Sequence, residues 1–199
     1  MPVRAPLAHI RNTQPARLLG ALHLEVPCVR QTTLYTCGAA SAVAALRAFD
    51  QPAHERALAK ELRSSPQTGT LPANIVAAMK ARGLGAVART GLGLPELRSQ
   101  LERGALVLVA YQAWRDDEKT PWRDHWDDGH YSVVTGMDDK NVYLMDPSMD
   151  ERGFVPHEEF KERWHDVDGN GVTVEQLGIV IDGARAAVGA RPTKVSRVD

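Results

Sequence analysis

Cys37 stands six residues after Gln31, in the stretch Gln31–Ala45, QTTLYTCGAASAVAA. The Ala-rich run that follows the thiol has strong helix propensity, so Cys37 is expected at a helix N-terminus. There it would face unpaired backbone N–H groups and the positive end of the helix dipole, both of which favour the reactive thiolate. The Gln31 amide can fold back toward the same point and donate to a developing oxyanion. A nucleophile, an activating field and an oxyanion donor thus fall within seven residues. Such chemistry also needs a base and a group that orients the base.

Seven histidines are available, and most suit surface or packing positions. His130 differs because it opens an expected strand, Gly129-His130-Tyr131-Ser132-Val133-Val134. A ring at the start of a rigid strand, after a glycine that lets another chain approach, is well placed to meet a helix N-terminus. Histidine can take the thiol proton and return it to a leaving amine. Asp146 ends the next expected strand, in VYLMDPS, where Pro147 stops it. If residues 130–137 and 142–146 pair antiparallel, Asp146 lies beside His130 and can hold its ring through Nδ1–H. That is the orienting role in a nucleophile–base–acid triad. His125, the nearest rival base, sits in an irregular segment with no strand to fix it.

The elements that must position these groups follow an α+β order. Leu22 to Val29 reads as a short extended segment. Helices are expected over Cys37–Phe49, His54–Leu62, Leu71–Arg82 and Leu94–Arg103, from apolar spacing and from Pro72, Gly83 and Gly104 at their ends. Strands are expected over Leu84–Thr90, Ala105–Tyr111, His130–Met137, Val142–Met145 and Gln176–Ile181, with a short helix over His157–Trp164 and a loop over Asp166–Gly171. Residues 1–21 read as a partly disordered lead-in, 22–182 as one domain and 183–199 as a mobile tail.

Composition bounds the function. The chain has 199 residues, 43% hydrophobic and 25% charged, with a net charge of −1, so neither nucleic acid nor a membrane surface is indicated as a partner. No apolar run approaches the ~20 residues of a membrane span, and no secretory signal is read, so a cytoplasmic location is the default. The two cysteines, Cys28 and Cys37, make no disulfide scaffold and no zinc spacing. Cys28 reads as a small buried hydrophobe in the strand-like LEVPCV. No metal or organic cofactor is expected.

The quoted residues resemble a C39-type peptidase domain. The carriers are Gln31-x5-Cys37-Gly38-Ala39-Ala40, Gly129-His130-Tyr131-Ser132-Val133-Val134-x-Gly136 and Asp146-Pro147, with Gly69-Thr70 and Leu97-x3-Leu101-x2-Gly104 between them. The resemblance spans about residues 26–181. These are papain-like cysteine peptidases, best known as the leader-cleaving domain of bacteriocin-exporting ABC transporters. The resemblance implies a papain-like fold, with an N-terminal helical half packed on a C-terminal antiparallel sheet. It implies Cys37 as nucleophile, His130 as general base and acid, Asp146 as its orienter, and Gln31 with the Cys37 backbone N–H as oxyanion hole. Exporter domains cut after a Gly-Gly pair, so a peptide or protein substrate, such as a leader-bearing precursor, is the expected partner. No GxxxxGK[ST] phosphate loop is present, so no ATP chemistry is expected and the chain resembles a stand-alone member.

One segment departs from that pattern. Ala113–Gly129, AWRDDEKTPWRDHWDDG, holds three Trp and six acids against three bases and leads directly into His130. Trp114, Trp122 and Trp126, with Gly129, are expected to border the cleft and grip an extended peptide, and the acids would favour Lys or Arg near the cut. The same triad could pass its thioester to an amine, as in transglutaminase-like or acetyltransferase-like acyl transfer. A non-catalytic peptide-binding domain is the third reading.

Overall fold

Apolar periodicity decides most of the helices. In the computed structural model, which describes residues 22–150, 152–183 and 195–198, α1 runs Cys37–Ala48, α2 Glu55–Glu61, α3 Pro72–Ala81, α4 Leu94–Glu102 and α5 His157–Arg163. Helix α1 is buried from Cys37 through Leu46 and carries mostly Ala, Gly and Ser, whose small side chains let neighbours approach on every side. Pro72 and Pro95 open α3 and α4, where a missing N–H costs no intrahelical bond.

The strands are β1 Leu22–His23, β2 Gly85–Arg89, β3 Leu106–Gln112, β4 Gly129–Met137, β5 Asn141–Met145, β6 Arg152–Pro156, β7 His165–Val167, β8 Thr173–Glu175, β9 Gly178–Asp182 and β10 Val195–Arg197. The main sheet has the order β10-β6-β5-β4-β3-β9-β2, with β1 also pairing β4. Its pairs are antiparallel except β10 on β6. Strands β7 and β8 form a separate hairpin. The α+β reading therefore holds. Strand β3, buried along its whole length, is the continuous apolar run expected of a central strand.

Several expectations need correction. Cys28 is exposed, because Leu24, Val26 and Val29 turn inward while Pro27 and Cys28 face solvent. The expected loop Asp166–Gly171 is the turn of the β7–β8 hairpin and part of β7. Strand β6 was not expected at all. The expected lead-in, residues 1–21, lies outside the described residues, as do 184–194 and 199. Within the expected tail, 195–197 form a strand on β6, and Val198 is buried with its N–H donating to Phe154 O at 3.1 Å.

Candidate active site

Three elements converge on Cys37. It is the first residue of α1, after Thr36. The Thr36 hydroxyl turns back into the loop, where Thr33 N–H and Thr33 O bond it at 3.2 Å each, and makes no cap on α1. No acid occupies the first turn, so the leading amides of α1 stay available at the thiol. Gly38 lets the helix come this close to the sheet: a Cβ there would lie 2.7 Å from Thr70 Cβ and 3.1 Å from the Tyr131 ring. The Ser41 hydroxyl then anchors α1 to β4 by donating to Tyr131 O at 3.1 Å.

His130 is the second residue of β4 and only 2% exposed. Its Nε2 donates to Asp146 Oδ1 at 2.8 Å. The sequence alone suggests Nδ1 for this bond. Register explains the difference. Val133 pairs with Met145, which sets Asp146 opposite Ser132, so the His130 ring reaches along the strand and meets the carboxylate with its far nitrogen. Nδ1 is the nitrogen that this bond leaves, and Cys37, at the start of α1, acts on the ring electrostatically.

Asp146 is buried and saturated. Its Oδ1 also accepts from Ser148 N at 2.8 Å and Ser148 Oγ at 2.7 Å, and its Oδ2 accepts from Tyr111 OH at 2.8 Å. Burial disfavours its charge, yet the His130 charge and hydrogen bond and the two Ser148 bonds hold the carboxyl well below the usual carboxylate range. Burial likewise works against a charged His130. The Asp146 charge and hydrogen bond, then the hydrogen bond and charge of Cys37, outweigh it and lift the imidazole to about 10. Burial first, and then the Asp146 charge, push the Tyr111 hydroxyl well above its ordinary value, so it stays a donor.

Gln31 is tied to the same region: its backbone N–H donates to Pro147 O at 2.8 Å, just past Asp146. Its side-chain Nε2 donates to Thr33 O at 2.9 Å, which engages one amide proton and leaves a second.

The tryptophan segment divides its work. Trp114 is half-buried and packs on the His130 ring, with 4.8 Å between the ring centroids. Trp122 is buried between two guanidinium groups, Arg115 at 4.4 Å and Arg163 at 4.1 Å, so its faces hold the fold and are not offered to a ligand. Trp126 is partly exposed and stacks on His165 of β7 at 4.2 Å. Gly129 accommodates the Asp166 carboxylate, which occupies the space a Cβ would need. His125 pairs with Asp128 at 2.8 Å within the same segment.

Two residues that sequence reasoning missed support this arrangement. Tyr111 was read only as the end of an apolar strand, although it pairs directly with His130 across the sheet. Arg163 is fully buried. It donates to Gln112 O at 2.8 Å, Ala113 O at 2.6 Å and Val198 O at 3.0 Å, and pairs with Glu159 at 2.9 Å. It thereby fixes the end of β3 from which Trp114 projects. Among the described residues no group of three His, Cys, Asp or Glu could hold a metal ion, and no helix is long and apolar enough to cross a membrane.

Known proteins carry the same architecture. A structure of a proposed C39-like peptidase from Bacillus anthracis superposes with a TM-score of 0.62 at 20% identity, over 87% of this chain and all 100% of that one. A double glycine motif protease from an AMS/PCAT transporter, solved in complex with the leader peptide, gives 0.58 at 17% identity, over 80% of this chain and 92% of that one. The peptidase domain of Streptococcus ComA, a bi-functional ABC transporter involved in a quorum sensing pathway, gives 0.56 at 19%, over 80% and 98%. In sequence, an uncharacterized protein of Methanothermobacter marburgensis is 31% identical over 121 residues, which is 61% of this chain and 71% of that protein. The sequence model of the Peptidase_C39 like family matches residues 23–172, a span that contains Cys37, His130 and Asp146, and the chain belongs to that family.

Proposed function

We propose that this chain is a cysteine peptidase that hydrolyses a peptide bond through Cys37. The observation that carries the reading is the buried His130 ring, bonded to Asp146 through Nε2, on the strand against which the N-terminal turns of α1, with Cys37, are packed. His130 takes the thiol proton, and the Cys37 sulfur adds to the substrate carbonyl. The resulting oxyanion is met by the leading amides of α1 and by the free amide proton of Gln31. His130 then protonates the leaving amine as the C–N bond breaks and a thioester forms. Water, deprotonated by His130, cleaves the thioester to a free carboxylic acid and restores the thiol. Asp146 keeps the ring oriented and stabilises its charged form throughout. Family membership, and the leader peptide held by the double glycine motif protease, support an extended peptide as substrate.

The test is a cleavage profile on a peptide library, with Cys37→Ala and His130→Ala as controls. Cleavage is expected to fall by at least about 10³-fold in each. Products should be free acids even with added amine. A major amide product would reassign the triad to acyl transfer. Iodoacetamide with peptide mapping gives a second readout: Cys37 should be labelled faster than exposed Cys28. Cleavage that survives Cys37→Ala, or labelling of Cys28 that spares Cys37, overturns the assignment.

A further inference from the structure

Asp166 lies on β7 beside the site, and the triad does not use it. Its carboxylate sits over Gly129, in the space left by the missing side chain. Gly129 and Tyr131 alternate with His130 along β4, so they share one face of the strand. On that face the Tyr131 ring meets Gly38, the neighbour of Cys37, and Gly38 in turn abuts Thr70. The turn carrying Asp168 and Gly169 closes the far side by packing Gly169 on Thr68. Tyr131 is therefore a floor with α1 and Thr70 on one side and Asp166 and Asp168 on the other. Burial, and then interactions with Asp166, Cys37 and Asp168, raise the Tyr131 hydroxyl, which places these three residues near one ring.

Asp166 has no basic partner. Its Oδ1 accepts from Val167 N at 2.8 Å and from Gln112 Nε2 at 3.4 Å, and among the described residues no Lys or Arg pairs with it. Gln112, fully buried, is held in turn by Asp128 N at 3.0 Å and by His165 O at 3.1 Å, so the contact is built rather than casual. The charges that face the carboxyl are the His130 imidazole and Asp168.

We infer that Asp166 is a specificity-determining residue: it selects a positively charged group, such as a Lys or Arg side chain flanking the scissile bond, and disfavours an acidic one. The inference rests on Cys37 being the attacking atom. It moves charge selection from the exposed acids of the tryptophan segment to one half-buried carboxylate over Gly129. Because burial lifts Asp166 to about 6, the selection should weaken in mildly acidic solution.

The test needs no known substrate. In a Cys28→Ser background, Cys37 is reacted with three methanethiosulfonates that share a two-carbon arm: aminoethyl (cation), hydroxyethyl (neutral) and sulfonatoethyl (anion). Rates are divided by those of a free model thiol. Asp166→Asn should lower the cation-to-anion ratio about five-fold at pH 7.5, with the neutral rate changed less than two-fold. In the unsubstituted protein, the same ratio should fall as pH drops through about 6. His130, lifted to about 10, keeps its charge across that range, and any change at Cys37 cancels in the ratio. A ratio unaffected by both the substitution and pH overturns the inference. So does a neutral rate that falls in parallel, because Asp166 would then act on the Cys37–His130 pair and not on ligand charge. Failure of peptide cleavage would sink the peptidase reading while leaving these ratios interpretable.

Discussion

Four hydrogen bonds converge on the two oxygens of Asp146, and each comes from a different kind of group: an imidazole, a backbone amide, a serine hydroxyl and a tyrosine hydroxyl. Such saturation is what a fully buried carboxylate requires if it is to stay charged beside His130. Gln31 is held very differently. Its side chain spends one proton on Thr33 O, and the backbone bond to Pro147 fixes its position without the amide. Gln31→Ala should therefore lower kcat by about 10²- to 10³-fold while the melting temperature stays unchanged, measured on any peptide the library identifies. A parallel loss of stability would assign Gln31 to the fold instead. That His130 meets Asp146, and that Cys37 opens a helix, was legible because each of the three sits at the end of a readable element. Tyr111 was not, since a tyrosine ending an apolar run looks like core until the β3–β4 register puts it opposite His130. Which imidazole nitrogen meets Asp146 was illegible for the same reason: it depends on register, and register depends on pairing across the sheet.

Helix α1 works as a spacer whose thickness sets the distance from thiol to imidazole. Gly38 is its thinnest point, against Thr70 and Tyr131. Gly38→Ala forces a Cβ to 2.7 Å from the buried, β-branched side chain of Thr70, so the helix N-terminus must move away from β4. The expected result is a loss of about 1–3 kcal/mol in stability and at least a ten-fold slower labelling of Cys37, read by thermal melting and by iodoacetamide kinetics. Unchanged labelling would mean that the helix tolerates the methyl group without moving the thiol. The long periodic helices were readable from sequence, because one buried face dictates their spacing. The strands Arg152–Pro156 and Val195–Arg197 were not. One contains Gly and Pro and carries a buried arginine that is satisfied by His23, Glu25 and Val26 O from β1 and the segment after it. The other is three residues long and gains its bonds only beside β6. Its successor Val198 is buried and its carbonyl receives Arg163, which also holds the chain next to Trp114. Deleting residues 184–199 removes that burial and one bond to a buried cation, worth on the order of 3 kcal/mol together. Thermal melting should show a loss of about 6–12 °C, with Cys37 labelling slowed as Arg163 loosens. A truncated chain that melts normally would show β10 to be dispensable.

Over the whole molecule, three groups near the site tie folding stability to pH, and their signs differ. His130 is raised from 6.5 to about 10, so its contribution is complete below about 6.5 and is lost as pH rises through about 10. Asp146 is lowered from 3.8, so its contribution is complete above about 4 and is lost only as pH falls below that value. Asp166 is raised from 3.8 to about 6 by burial, so folding favours its neutral form. Its contribution is therefore greatest below 3.8, shrinks as pH climbs to about 6, and is constant beyond. The three together put the best stability from this region in mildly acidic solution, near pH 4–5, with a decline to about 6 and a further, larger one between about 6.5 and about 10. Melting temperatures across pH 4 to 10 test this directly. Asp146→Asn removes the charge that lifts His130 and should flatten the alkaline decline while lowering stability at its maximum. Asp166→Asn should flatten only the segment between about 4 and 6, because it removes a group whose ionisation is resisted by burial and leaves the His130–Asp146 bond intact. Chemical shifts of the His130 ring supply the independent reading: the imidazole should titrate near 10 in the unsubstituted protein and move toward 6.5 in Asp146→Asn. If the ring titrates near 6.5 with Asp146 present, His130 is largely neutral at neutral pH and the alkaline decline in stability loses its physical basis.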